Sequence, residues 1–283
     1  VLYDNTGLAA GATPRAKTPR NPRRRGMITS TSNQRVQWVR TLQSKRRARM
    51  REGLFIVEGT RLANEAVSSR SPAKLILYTD AVKQGEQRLI EELINLGAEA
   101  EEVSERVMKA CSDTESPQGL LAVLPILSST PPDKLSLALV ADRISDPGNF
   151  GTILRTAQAV GVDAVFLSPG TVDPYNPKVV RGAMGAHFRL PIIQEQISEI
   201  EEHLGGVDVW VAEVGVGPPY YDVDWHKPSA IVIGSEAHGP SDELRSIAQG
   251  STHIPMQGST ESLNASVAAA VILFEIVRTR GEE

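Results

Sequence analysis

A chain of 283 residues has room for two domains at about 150 residues each, and its 41% apolar content is ordinary for a folded protein. No apolar run approaches the roughly 20 residues that span a bilayer, and the single cysteine, Cys111, excludes an intrachain disulfide or a cysteine zinc cluster and fits a reducing compartment. The net charge of −4 hides an asymmetry: residues 1–51 carry 13 basic and one acidic side chain (net +12), and the remainder carries 17 basic and 33 acidic (net −16).

Residues 1–27 read as a basic, disordered extension, with Pro14, Pro19 and Pro22 around Arg23, Arg24 and Arg25 and little that could enter a core. It fits an upstream extension, an expression remnant or an Arg-rich, acid-poor transit peptide. The concentrated positive charge of residues 1–51 would neutralise phosphates and draw in nucleic acid by counterion release; a solvated, disordered tail without a partner is the other reading. From Asn33 to Ser44 the pattern predicts a helix, followed by the basic run Lys45, Arg46, Arg47, Arg49, Arg51. A strand at 54–59, a helix at 61–67, a strand at 74–78, a helix from Gln84 to Leu96, a strand at 99–103, a helix from Ser104 to Ala110 and a strand at 120–124 complete an alternating α/β unit over residues 28–125.

Ser128, Ser129, Pro131 and Pro132 give residues 126–134 the composition of a linker. Beyond it, residues 135–283 form the second domain. Strands are predicted at 135–142, 163–168, 189–193, 207–213, 230–235 and 252–255, with a helix from Asn149, placed to cap it, to Val160, where Gly161 stops it. Continuous apolar strands separated by helices indicate a parallel sheet covered on both faces. A polar loop of Gly258, Ser259, Thr260, Glu261, Ser262 and Asn264 then runs into a helix that is apolar nearly all round, from Ala268 to Val277, with Val267, Val271 and Phe274 expected to anchor it. Such a helix is either a core helix or one buried partly against a second subunit. Arg278 and Arg280 complement its dipole, and Gly281 can end it.

Three loops each follow a predicted strand: Asp142 to Arg155, Gly234 to Leu244 and Ile254 to Asn264. In open α/β sheets ligands bind at the carboxyl ends of strands. Taken alone, the first loop reads equally well as a capped helix with a surface arginine. The stretch Trp210 to Tyr220 resembles the Glu-x-Gly-x-Gly turn of Rossmann-type methyltransferases, but it comes late, and Pro218 and Pro219 stand where a helix should start. The dinucleotide fingerprint, the phosphate loop and the G-x-S-x-G elbow of hydrolases are all missing. His187, His203, His226, His238 and His253 lack the spacing of a helical metal site and read as structural or surface histidines, so no metal is expected.

Together the three loops resemble the motifs of the SpoU (TrmH-like) family of RNA ribose methyltransferases, a branch of the SPOUT superfamily. The first motif is Asn149, Gly151 and Arg155; the second is GSEAHG from Gly234 to Gly239; the third is IPM followed by ESLNAS from Glu261 to Ser266. The match covers roughly residues 135–280. More weakly, Ser30 to Asn33 and Phe55 to Ala66 are similar to the ribosomal-protein-like substrate-binding domain that many members carry. The resemblance implies an α/β fold of SPOUT type, a parallel sheet whose carboxyl-terminal segment forms a trefoil knot around S-adenosylmethionine, against the usual rule that chains are unknotted.

It further implies a homodimer with its active site at the subunit interface. Asn149, Arg155, Glu236, Ser262 and Asn264 match catalytic positions, and Gly234, Ile254, Met256 and Leu263 match cofactor-binding ones. Glu236 is read as orienting Asn149 or the loop backbone, with a helix-start acid as the alternative; Ala237 replaces a glycine common in the family. The implied reaction is methylation of a ribose 2'-hydroxyl in structured RNA, with large-subunit rRNA ahead of tRNA, in the cytoplasm, or in an organelle if residues 1–26 are a transit peptide. A non-catalytic RNA-binding module of the same fold is the competing class.

Overall fold

The computed structural model describes residues 26–127, 130–235, 238–258 and 261–281. The expectation for residues 1–25 lies outside them. In the amino-terminal part the elements are α1 (Gln34–Ser44), α2 (Arg46–Glu52), β1 (Leu54–Glu58), α3 (Thr60–Ser68), β2 (Leu75–Tyr78), α4 (Asp80–Gly85), α5 (Gln87–Asn95), β3 (Glu99–Glu102), α6 (Glu105–Cys111) and β4 (Leu120–Pro125). Asn33 caps α1 by accepting from the Arg35 amide at 2.9 Å.

The four strands pair in the order β1-β4-β2-β3, with β2 and β3 parallel and β4 antiparallel to both of its neighbours. Side chains alternate between faces along each strand. Phe55 and Val57 of β1 therefore join Leu62, Ala66, Leu89 and Leu93 on one side, while Leu54 and Ile56 join Val36, Val39, Leu42, Val107 and Met108 on the other. The single helix predicted from Gln84 to Leu96 is instead two helices broken at Glu86, whose backbone leaves the helical region just after Gly85, a weak helix former.

The second part contains β5 (Leu137–Ala141), α7 (Pro147–Val160), β6 (Ala164–Leu167), α8 (Pro177–Ala183), β7 (Ile192–Gln194), α9 (Ile197–His203), β8 (Asp208–Ala212), β9 (Ser229–Ile233), α10 (Asp242–Ile247), β10 (Gly250–Thr252) and α11 (Ala265–Arg280). Its six strands run β10-β8-β9-β5-β6-β7, every neighbouring pair parallel. The apolar β5 and β6, with β9, which is apolar after Ser229, sit in the middle, buried on both faces, as continuous hydrophobic strands must be.

Two expectations are corrected here. Helix α7 is capped by Asp146, which accepts from the Asn149 amide at 2.8 Å, with Pro147 in the first turn; Asn149 is thereby freed from capping. In α11 the anchoring side chains are Ala265, Ala269, Ile272, Leu273 and Ile276, whereas Val267 (46% exposed), Phe274 (56%) and Val277 (39%) face outward. An apolar helix that is uniform in composition gives no clue to which of its faces the core takes. Arg280 does more than offset the dipole, donating to the carbonyls of Trp225, Lys227 and Ser136. No described helix is long and apolar enough to cross a membrane.

The two parts share a buried junction. Arg49, from the basic run, is 3% exposed; its Nη2 and Nε donate to Asp173 Oδ2 at 2.6 and 3.0 Å, and its Nη1 donates to the Leu42 and Gln43 carbonyls. Around it, Phe55 of β1 packs against Tyr175, His187 and Phe188. Arg189 pairs with Glu65, and Arg181 with Asp113.

His187 has one ring nitrogen, Nε2, 2.7 Å from the Pro174 carbonyl, and burial pushes its pKa down to about 4 from the usual 6.5. Between those values the unfolded chain binds a proton that the folded one refuses, so stability falls as pH drops through this window. The expected loss is about 3 kcal/mol from pH 6.5 to 4, at 1.36 kcal/mol per unit. Urea unfolding at several pH values should show this slope, and His187→Gln should flatten it.

Candidate active site

The site is assembled from loops at the carboxyl ends of β5, β6, β8, β9 and β10. Its foundation is Asp142, the residue after β5, which is fully buried. Asp142 Oδ1 accepts from Ser168 Oγ at 2.5 Å and Oδ2 from the Ser241 amide at 2.6 Å, so one carboxylate ties together the loops that follow β5, β6 and β9. A buried carboxylate is tolerable only with such donors. At Gly234, just past β9, the loop folds back on itself. A Cβ there would fall 2.3 Å from Pro240 N and 2.4 Å from the Gly239 carbonyl carbon, both backbone atoms that cannot yield.

Asn149 and Asn264, 115 residues apart in sequence, meet directly. Asn264 Nδ2 donates to Asn149 Oδ1 at 2.9 Å, while Asn264 Oδ1 caps α11 through the amides of Ser266 and Val267. The cap fixes which end of the Asn264 amide faces the cap and which faces Asn149, and so orients both side chains. Behind Asn149, α7 packs tightly on α8. A Cβ on Gly151 would lie 2.9 Å from the Val179 carbonyl oxygen and 3.0 Å from Gly182 Cα, so only glycine permits this approach.

A cavity of about 360 Å³ opens between these loops. Ile233, Ile254, Leu263 and Ile272 give it apolar walls, and Glu213, Ser235, His238 and Arg245 add polar groups. An apolar cleft of this size with a few convergent polar groups is what a small-molecule cofactor needs. Arg245 Nη2 donates to Glu213 Oε1 at 2.8 Å and Nη1 to Asp242 Oδ1 at 2.7 Å, and the hydrogen bond it gives Glu213 raises the guanidinium above its ordinary pKa. Among the described residues no group of three or more His, Cys, Asp or Glu side chains is placed to hold a metal ion.

Gly234, Ile254, Met256 and Leu263, predicted for cofactor binding, all line this cavity, as does Ser262. Asn264 stands between the lining residues Leu263 and Ala265 and brings Asn149 with it. Arg155 is not drawn in. It is exposed on α7, about 9 Å along the helix axis from Asn149 at 1.5 Å per residue, with no hydrogen-bond or ion-pair partner among the described residues. Glu236, Ala237, Ser259 and Thr260 lie outside the described residues.

Sequence reading missed Asp142 and Arg245. The turn after β8 was singled out on its Glu-x-Gly-x-Gly pattern and then set aside, yet Ala212, Glu213 and Val214 line the cavity. His238, read as structural or on the surface, lines it too.

With this geometry in hand, comparison with known proteins is specific. The SpoU rRNA Methylase family model matches residues 136–274, and that of the MRM3-like substrate binding domain matches residues 33–122. The chain is 34% identical over 254 residues to the 23S rRNA (guanosine(2553)-2'-O)-methyltransferase RlmP of Bacillus subtilis, covering 88% of this chain and 98% of that protein. Among solved structures, an AdoMet-bound rRNA methyltransferase from Sinorhizobium meliloti superposes with a TM-score of 0.81 at 27% identity, over 89% of this chain and 97% of that one. The SpoU methyltransferase AviRb from Streptomyces viridochromogenes, in complex with AdoMet, gives 0.78 at 28% identity, over 88% and 98%.

Proposed function

From its membership of the SpoU rRNA Methylase family, to which this chain belongs, we propose that the protein transfers a methyl group from S-adenosylmethionine to a ribose 2'-hydroxyl of rRNA. The observation that carries this reading is the meeting of the first and third motifs, through the Asn149–Asn264 bond, at the rim of a cavity lined by all four predicted cofactor residues. Incubation with tritium-labelled S-adenosylmethionine and rRNA tests it. Label at a single ribose supports the reading; binding of rRNA without label would leave a non-catalytic module, and label in tRNA alone would reassign the substrate.

The cofactor fits what is present. Ile233, Ile254, Leu263 and Ile272 suit an adenosyl group, and Gly234, whose missing side chain lets the loop fold back on itself, lines the same cavity. When bound, the cofactor supplies an electrophilic methyl on a sulfonium. The protein's part is to hold the ribose and stabilise the oxygen that attacks. Asn149, Ser262 and Asn264 position the sugar. Arg155 grips the adjacent phosphate and offsets developing alkoxide charge, since a guanidinium does not give up its proton in a protein. Glu236 orients Asn149 or the loop around it. The segment 254–264 is the part of the chain that would wrap the cofactor as a trefoil knot.

The protein works as a homodimer in this reading, supported by the outward apolar face of Val267, Phe274 and Val277 on α11, which packs beside α7. Arg155, remote from the cavity within one protomer, is then supplied across the interface. Phe274→Asp is expected to shift the sedimentation coefficient from dimer to monomer at micromolar concentration and to abolish methylation; a monomeric wild-type protein would overturn the arrangement. Docking of rRNA falls to the domain at 28–125 with the basic residues before and within it, and the cytoplasm is the compartment this activity suits.

A further inference from the structure

The Glu-x-Gly-x-Gly turn after β8 is left unused by the reading above, and it holds a cavity carboxylate with a role to fill. Glu213 follows β8, the strand directly beside β9, whose own end carries the close-packed Gly234. In dinucleotide-binding sheets the same relation recurs: a glycine turn ends one strand, an acidic residue ends the neighbouring strand, and that acid holds ribose hydroxyls. The local backbone supports a fixed position. Glu213 N donates to the Thr252 carbonyl at 2.9 Å, and Gly217, at φ +76°, lies so close to the Ser251 carbonyl that a Cβ would meet its oxygen at 1.8 Å.

We propose that Glu213 is a cofactor-specificity residue whose carboxylate accepts hydrogen bonds from the ribose diol of the adenosyl group. This rests on the cofactor reading above. Oε1 is held by Arg245 at 2.8 Å, whereas among the described residues Oε2 has only Ser251 Oγ, at 3.4 Å, and so retains capacity to accept. The Arg245 pairing selects among the groups the cofactor presents. A cationic amino group placed at Glu213 would sit beside a guanidinium and be repelled, while a neutral diol is not. Arg245, clamped between Glu213 and Asp242, is the positioning residue.

Calorimetry with the full chain, comparing S-adenosylhomocysteine with its 2',3'-dideoxyribose counterpart, needs no turnover. Wild type is expected to prefer the diol roughly tenfold or more, the scale of hydrogen bonds to a charged group, and Glu213→Ala is expected to erase that preference while still binding the dideoxy ligand. Glu213→Gln, which keeps an acceptor oxygen but loses the charge, should retain part of it. A preference that survives in Glu213→Ala overturns the assignment and leaves the cofactor reading intact, and equal wild-type affinity for the two ligands does the same. Failure of wild type to bind S-adenosylhomocysteine at all would remove both.

Discussion

Replacing Arg155 by alanine is expected to lower kcat by about 10²–10³, the usual cost of removing one group that stabilises developing negative charge. Because Arg155 is exposed and has no partner among the described residues, its loss should leave the melting temperature and S-adenosylhomocysteine affinity unchanged. Arg155→Lys separates charge from geometry. It keeps a cation but loses the planar fork that grips a phosphate through two parallel bonds, so most of the defect should persist. Near-full turnover in the lysine variant would show that the fork has no role. Mixing Arg155→Ala with Gly234→Ala protein, whose cofactor loop cannot close, should restore methylation if each protomer supplies its arginine to the other's cavity. No recovery in verified mixed dimers would place Arg155 and the cofactor in one protomer.

Arg49→Ala is expected to destabilise the protein by about 3–5 kcal/mol, read from urea unfolding. The reason is what it leaves behind. Asp173, 5% exposed, would keep its charge in the junction without a counter-ion, and the Leu42 and Gln43 carbonyls would lose a donor. Arg46→Ala is the control: it removes only an exposed bond to Gln194 and should change stability by less than about 0.5 kcal/mol. A change below about 1 kcal/mol for Arg49→Ala would mean that water reaches Asp173 once the arginine is gone.

The contrast between these two arginines shows what sequence can and cannot mark. Arg155 is marked as a candidate by its fixed offset from Asn149 and Gly151 after a strand, local spacing that survives in one dimension, although within one protomer it does not line the cavity. Arg49 lies in the basic run from Lys45 to Arg51, whose members look alike in sequence. Its partner is 124 residues away, and nothing in the run distinguishes the one arginine that the fold buries. Asp142 escaped notice for the same reason, since its donors Ser168 and Ser241 come from two different loops.

The parallel sheet was legible because strands covered on both faces are apolar without interruption, and the loops at their ends could be ranked as a site from that alone. Helix details were less so. The break at Glu86, the cap at Asp146 and the outward face of α11 each depend on packing rather than on composition. Glu213 was visible as part of a turn, but the turn's proline-bearing continuation argued against it. The structure shows that this continuation runs along β10 instead, where Tyr220 N donates to the His253 carbonyl.

Helix α8 belongs to both halves of the molecule. Val180 lies in the core of the amino-terminal domain, while Gly182 touches Gly151 on the helix that carries Asn149 and Arg155. Whatever the first domain grips is therefore held at a set reach from the reacting sugar, as between the jaws of a fixed gauge. An RNA hairpin lengthened by one base pair between grip and target is therefore expected to present a different ribose, which mapping the methylated position in such a hairpin would check.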